Sequence, residues 1–275
     1  MIVADYHGGA EQSTVWRLLR STERVPVEYE TAYTVEDFTR NLSKVHERIE
    51  RAAREAGRDP GEIRLLPVSK TVSEERIRSA IAAGCTRLGE NKVQEAKWKQ
   101  AALADTGVEW SIIGHLQTNK AKDVATFASE FHALDRLKVA KALDRRLEAL
   151  GRSLDVYVQV NTSGEESKYG LDPDEAMDLL AALKHCETLN VRGLMTLAIF
   201  TDEKEPIRRC FQLLRRIRDE ARDRDPDLIG PGELSMGMSG DFELAIEEGS
   251  NVVRVGQSIF GKRPTKDSDY WPPAS

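Results

Sequence analysis

The sequence predicts an α/β fold of one kind, a single (β/α)8 TIM barrel carrying an additional N-terminal helix and arm. Three observations lead there. Short β-rich apolar runs alternate with helical, charge-laced segments, the pattern that builds a parallel sheet from βα units. Eight such runs can be counted, at 63–68, 86–88, 110–113, 131–134, 154–160, 191–195, 233–236 and 252–255, which is the strand count of a closed barrel. Just at or beyond their ends stand Lys70, Asn91, His115, Asp135, Asn161, Thr196, Ser235 and Gly256, and barrels gather their chemistry at that face.

Taken in order, residues 1–33 show no clear period, and Gly8, Gly9, Pro26 and mixed charges predict an arm that is loosely ordered or packs on a partner. Thr34 with Asp37 three residues on resembles a capping box, and Phe38, Leu42, Val45, Ile49 and Ala53 recur at helical spacing. That helix ends near Gly57, with Pro60 beyond it. The successive strand ends are then 20 to 39 residues apart, room for one helix and its loops each time. A doubly wound open sheet is the alternative, and it would set the same residues along one sheet edge. At 275 residues the chain fits one large domain or two ordinary ones of about 150 residues each. The strand count assigns one, a barrel over 34–263 with a short tail at 264–275.

Composition narrows the function. Forty per cent apolar and 31 per cent charged residues describe a globular protein with a substantial core. The 40 basic and 46 acidic residues leave a net charge of −6, which argues against nucleic-acid and membrane-surface partners, since those favour a basic excess. Cys85, Cys186 and Cys210 are too far apart for a CxxC metal motif, and an odd number suits reduced thiols. No apolar run approaches the roughly 18 residues of a membrane span, and the N-terminus lacks the layout of a secretory signal. A cytoplasmic location is expected.

Lys70 ends the apolar run in LLPVSKTV. A lysine at the mouth of a core strand is desolvated, which lowers its pKa and makes the neutral amine a nucleophile suited to a Schiff base. The plainer alternative is a lysine whose head snorkels to water. After the last two runs, LSMGMSG and VGQSIFGKR supply glycines, hydroxyls and backbone N–H groups, and barrels commonly hold a phosphate there. Ser235, Ser239, Gly256 and Gln257 are the candidates, with purely conformational glycines as the alternative. GQSIFGKR nearly matches a P-loop, but Arg263 replaces the required Ser or Thr. Arg254 lies two residues before Gly256, so strand alternation turns both into the barrel. A buried arginine there needs an acceptor, either a ring nitrogen, an anion or a neighbouring carboxylate.

VSKTV, GENKVQE, WSIIGHLQTNK, NTSGEESKYGL, RGLMT, LSMGMS and VRVGQSIFGKR together resemble the pyridoxal phosphate homeostasis protein family. The seven motifs keep the family's order across roughly residues 35–263. The resemblance implies a single barrel that binds pyridoxal 5′-phosphate (PLP) without efficient catalysis and serves vitamin B6 balance. It implies an internal aldimine at Lys70, Asn91 and His115 lining the pocket, and Arg254 facing the pyridine nitrogen. Ser235, Gly256 and Gln257 would hold the phosphate. Two positions depart from the family: Lys92 stands where it often has Tyr, and Gln257 where it often has Thr. Gln257 can still offer its backbone N–H, whereas Lys92 changes the charge of the rim. Expected partners are PLP, and PLP-requiring apo-enzymes or free amino acids, with the chain a monomer or weak homodimer.

The same barrel with a lysine on its first strand is similar to alanine racemase, so a PLP-dependent racemase of low activity is the rival. Racemisation needs a second acid/base on the opposite face of the substrate, supplied in that family by a separate C-terminal domain. Only 20 residues follow Val255 here. A permanently charged Arg254 beside the ring nitrogen would also disfavour ring protonation and weaken the electron sink. A Schiff-base aldolase acting on a sugar phosphate is a third class, and it usually carries its lysine on a later strand.

Overall fold

Thr34 and Asp37 open the first helix as their spacing predicts. In the computed structural model, which describes residues 29–262, the Asp37 N–H donates to the Thr34 hydroxyl at 3.1 Å and the Thr34 N–H donates to the Asp37 carboxylate at 3.2 Å. This reciprocal pair satisfies two N–H groups that a helix start leaves without partners. Helix α1 (Val35–Glu55) then buries Phe38, Leu42, Val45, Ile49 and Ala53 along one stripe. Phe38 meets Phe260 edge-on with ring centroids 5.4 Å apart, and Asn41 Nδ2 donates to Ile259 O at 3.0 Å. The extra helix is thereby fastened to the last segment of the barrel.

Eight parallel strands follow: β1 (Arg64–Pro67), β2 (Arg87–Glu90), β3 (Glu109–Ile112), β4 (Glu130–Leu134), β5 (Leu154–Gln159), β6 (Leu189–Met195), β7 (Glu233–Ser235) and β8 (Val252–Val255). Their order in the sheet is β1-β8-β7-β6-β5-β4-β3-β2. The two ends of that order meet, because Val68 bridges Gly89 in parallel and Ser69 N–H donates to Gly89 O at 3.0 Å. The sheet is therefore a barrel and not a doubly wound layer. Around it run α2 (Glu74–Ala82), α3 (Val93–Ala102), α4 (Ala121–Phe127), α5 (Leu137–Leu150), α6 (Ala176–Leu183), α7 (Lys204–Arg224), α8 (Phe242–Glu247) and the four-residue α9 (Gln257–Phe260).

The main differences from the sequence reading are polar. Strand β2 runs on to Glu90 and β4 begins at Glu130, and both carboxylates are buried. An apolar-run criterion stops short of them, because a charged residue inside a strand is expected only where its partners are buried with it. Residues 1–28 and 263–275, where most of the predicted arm and tail fall, lie outside the described residues. Residues 29–33 lie against the barrel: Lys262 N–H donates to Tyr29 O at 3.3 Å and Arg76 Nε donates to Ala32 O at 2.7 Å. Cys85, Cys186 and Cys210 are buried free thiols. Among the described residues, no helix is long and apolar enough to cross a membrane.

Truncating Phe38 to Ala removes the fully buried ring that ties α1 to Phe260, and we expect it to lower the unfolding free energy by about 3–5 kcal/mol. Urea unfolding checks this; an unmoved midpoint would mean that α1 contributes nothing to the barrel.

Candidate functional site

Lys70 stands two residues beyond the β1–β2 bridge, in a turn closed by Val72 N–H donating to Ser69 O at 3.0 Å. It is 8% exposed and lines a cleft with Val68, Gly256, Gln257 and Gly261. The strand order puts β2, which leads to Asn91, on one side of Lys70 and β8, which carries Arg254 and leads to Gly256, on the other. Asn91 lies beside His115, because the chain at Gly114 approaches so closely that a Cβ there would fall 2.1 Å from Asn91 O.

Down the barrel axis runs a hydrogen-bonded chain. Arg254, 3% exposed, donates from Nη1 to Ser235 Oγ and from Nη2 to Thr196 O, both at 2.8 Å. Ser235 Oγ lies 2.9 Å from His132 Nδ1, and His132 Nε2 lies 3.0 Å from Glu130 Oε2. The proton inventory assigns directions: Ser235 accepts from Arg254, so its O–H donates to Nδ1, and the Nε2–H donates to Glu130. Glu130 also accepts from Arg64 (2.9 Å), Arg87 (2.6 Å) and Ser111 (2.7 Å). Burial opposes its ionisation, yet the His132 bond and the two arginines hold it well below the usual carboxylate range. Burial keeps His132 neutral against the pull of Glu130. It also pushes Arg254 down to about 10, opposed by Asp241, so the guanidinium stays charged at neutral pH.

The same cleft is lined by the start of α9 at Gln257, with Gly256 before it. Ser258 N–H points to Ser239 Oγ at 3.5 Å. Among the described residues the buried Ser258 hydroxyl has no hydrogen-bond partner, a state that costs free energy unless another group completes it. On the far side of the mouth, His115 Nδ1 lies 3.1 Å from Asp135 Oδ2. Its ring stacks on Tyr169, with centroids 4.0 Å apart and planes 17° from parallel. Arg136 pairs with Asp135 and donates to Leu116 O at 2.7 Å, pinning this wall.

Behind Lys70 is a buried ionic cluster. Lys99, 1% exposed, donates to Ser69 O (2.8 Å), Glu90 Oε1 (2.8 Å) and Glu95 Oε1 (2.7 Å). Ser69 Oγ donates to Glu90 Oε1 at 2.6 Å, whereas the buried Glu90 Oε2 has no hydrogen-bond partner among the described residues. Burial pushes the Glu90 carboxyl up to about 7, against the lowering pull of Lys99.

The predicted residues therefore fall into two groups along the mouth, Lys70, Ser239, Arg254, Gly256 and Gln257 towards β8 and β1, and Asn91 with His115 towards β2 and β3. The Ser235 side chain is fully buried and bonds to Arg254 and His132. Lys92 is exposed at the start of α3. Ser258 was passed over although it stands in the GQSIFGKR motif, and its place one residue into a helix start was the available signal. Glu95 and Lys99, four apart on α3, have the spacing of an ordinary surface pair. Nothing local marks His132 as the link between Glu130 and Arg254.

Comparison with known proteins gives the site its relatives. The model of the family described as alanine racemase, N-terminal domain, matches residues 41–264. A pyridoxal phosphate homeostasis protein of Pseudomonas aeruginosa is 42% identical over 235 residues, covering 86% of this chain and 97% of that protein. One from Aquifex aeolicus is 41% identical over 222 residues, covering 81% and 96%. Among solved structures, PipY of Synechococcus elongatus with PLP bound superposes with a TM-score of 0.72 at 33% identity, covering 82% of this chain and all of that one. An alanine racemase of Clostridium difficile shares the fold, with a TM-score of 0.66 at 17% identity, covering 89% of this chain and 61% of that one.

Because Glu90 ionises at a higher pH when folded than its ordinary 4.5, the folded state retains a proton that the unfolded chain releases in that window. Stability from this group is therefore greatest at low pH and is lost as pH rises through about 7. Glu90→Gln should flatten that fall, so that the variant gains on the parent protein between about pH 4.5 and pH 7 by up to about 1.4 kcal/mol per pH unit. Urea unfolding across that range checks it, and parallel profiles would refute it.

Proposed function

We propose that this chain, which belongs to the pyridoxal phosphate homeostasis protein family, binds PLP covalently through Lys70 and holds it in a weakly activated state, as an intracellular carrier or buffer of the cofactor. The observation that carries the reading is the cleft in which Lys70 meets Gly256 and Gln257, next in the chain to the Ser258 hydroxyl, which has no hydrogen-bond partner among the described residues. An amine with backbone N–H donors in the same cleft fits a molecule with an aldehyde and a phosphate. When bound, PLP supplies a carbonyl that condenses with amines and a ring that can accept electron density.

The protein's own groups divide the work. Lys70 supplies the amine. Ser239, Ser258 and the Gly256–Gln257 backbone hold the phosphate, and Asn91 and His115 line the wall opposite, His115 fixed by Asp135 and Tyr169. Arg254 faces the ring nitrogen, anchored by Ser235 and Thr196. A guanidinium that stays charged disfavours a proton on that nitrogen, which limits the ring as an electron sink. This supports binding without efficient turnover, with PLP-requiring apo-enzymes or free amino acids as recipients. We place it in the cytoplasm as a monomer or weak homodimer.

Purified protein should show a visible absorption band that borohydride converts to a stable label on Lys70, and Lys70→Ala should lose both. A band that survives in the variant would remove Lys70 from the site. Incubation of the PLP-loaded protein with L-amino acids should give turnover well below about 1 per second. Ordinary enzyme rates would replace the carrier by a racemase or transaminase.

A further inference from the structure

Among the described residues, Thr71 is the one non-glycine with a positive φ, at 65°. It is the third residue of the turn that Val72 N–H closes on Ser69 O, the position at which type II turns take glycine. A β-branched residue is strained there, and such strain persists only where the surroundings over-determine it. Those surroundings are visible. Thr71 N–H donates to Glu95 Oε1 at 2.7 Å, and that same oxygen accepts from Lys99 Nζ at 2.7 Å. Lys99 in turn donates to Ser69 O at 2.8 Å. The residues on both sides of Lys70 are thus held by one buried ion pair on α3, and Lys70 sits between the two grips.

The peptide between the second and third residues is what distinguishes the two common turn types. Turning it over would relieve Thr71 and withdraw its N–H from Glu95. We propose that Glu95, steadied by Lys99, is a positioning residue that selects the strained orientation of the Lys70–Thr71 peptide and so sets the direction of the Lys70 amine for its ligand. The inference rests on the PLP reading for its ligand, but the clamp itself does not need PLP to be seen.

Two measurements on the full chain separate the two. Without cofactor, hydrogen exchange at the Thr71 amide should be slow in the parent protein and in Glu95→Gln, which keeps an acceptor oxygen, and fast in Glu95→Ala. With PLP, Glu95→Ala should bind about tenfold more weakly, because the competent turn is then a minor population. Glu95→Gln should stay within about twofold, and adding Thr71→Gly to Glu95→Ala should recover most of the loss, since glycine adopts positive φ freely. Thr71→Pro, which deletes the N–H and forbids positive φ while leaving the ion pair intact, should reproduce the Glu95→Ala loss and serves if Glu95→Ala does not fold. Slow Thr71 exchange in folded Glu95→Ala, or PLP affinity unchanged in both Glu95→Ala and Thr71→Pro, would overturn the clamp. A parent protein that binds no PLP would overturn the functional reading, while Thr71 exchange still decides the clamp.

Discussion

A guanidinium buried in the lumen of a barrel is the constraint around which the rest is arranged. Arg254 has five N–H donors and no acceptor of its own, and without partners in a dry interior its charge would cost several kcal/mol. Its neighbours in the sheet answer it: β7 brings Ser235 Oγ and the residue after β6 brings Thr196 O. Committing Ser235 commits His132, which must accept the hydroxyl proton, and committing His132 commits Glu130. Glu130 then requires the cations Arg64 and Arg87 at the base. One buried charge near the mouth thus accounts for a polar column where most barrels have stacked aliphatic layers.

The second constraint is the seam at which the barrel closes. Strands β1 and β2 meet through the single bridge at Val68 and Gly89, where the chain must leave the sheet at once to present Lys70. Sheet pairing therefore cannot hold the residues around Lys70, and α3 does so instead by sending Lys99 and Glu95 inward. Burying an ammonium with two carboxylates is a costly means of fixing two backbone groups. It gives directional bonds, which apolar packing of similar volume would not.

These two constraints explain what could be read in the sequence. Each βα unit is a local pattern, and all eight strand positions follow from apolar runs with errors of one or two residues. The capping box at Thr34 is equally local, four residues in one sentence of chain. Lys70, Arg254 and Gly256 were legible because a strand end and a two-residue alternation fix direction. Ser235 stands at the strand end the sequence indicates, but its bond to His132, 103 residues away, follows from no local rule. Glu90, Glu130 and Lys99 escaped for the same reason: a charge in a strand or helix is read as solvated until the burial of its partner is known. The strain at Thr71 left no trace in the sequence, because nothing before the fold requires a positive φ there.

The direction of the hydrogen bonds in the column links architecture to the proposed function. Arg64 and Arg87 keep Glu130 ionised, so Glu130 can only accept. His132 must then place its proton on Nε2, which leaves Nδ1 to accept from Ser235, and Ser235 accepts from Arg254. From Arg254 to Glu130 each donor points towards the base, where Arg64 and Arg87 donate to Glu130 from the other side. A group lying above Arg254 meets its N–H donors, with the buried Asp241 carboxyl also acting on that guanidinium. Under the function proposed above, a pyridine nitrogen facing Arg254 would accept a hydrogen bond and would be disfavoured as a protonated base, because that guanidinium stays charged at neutral pH.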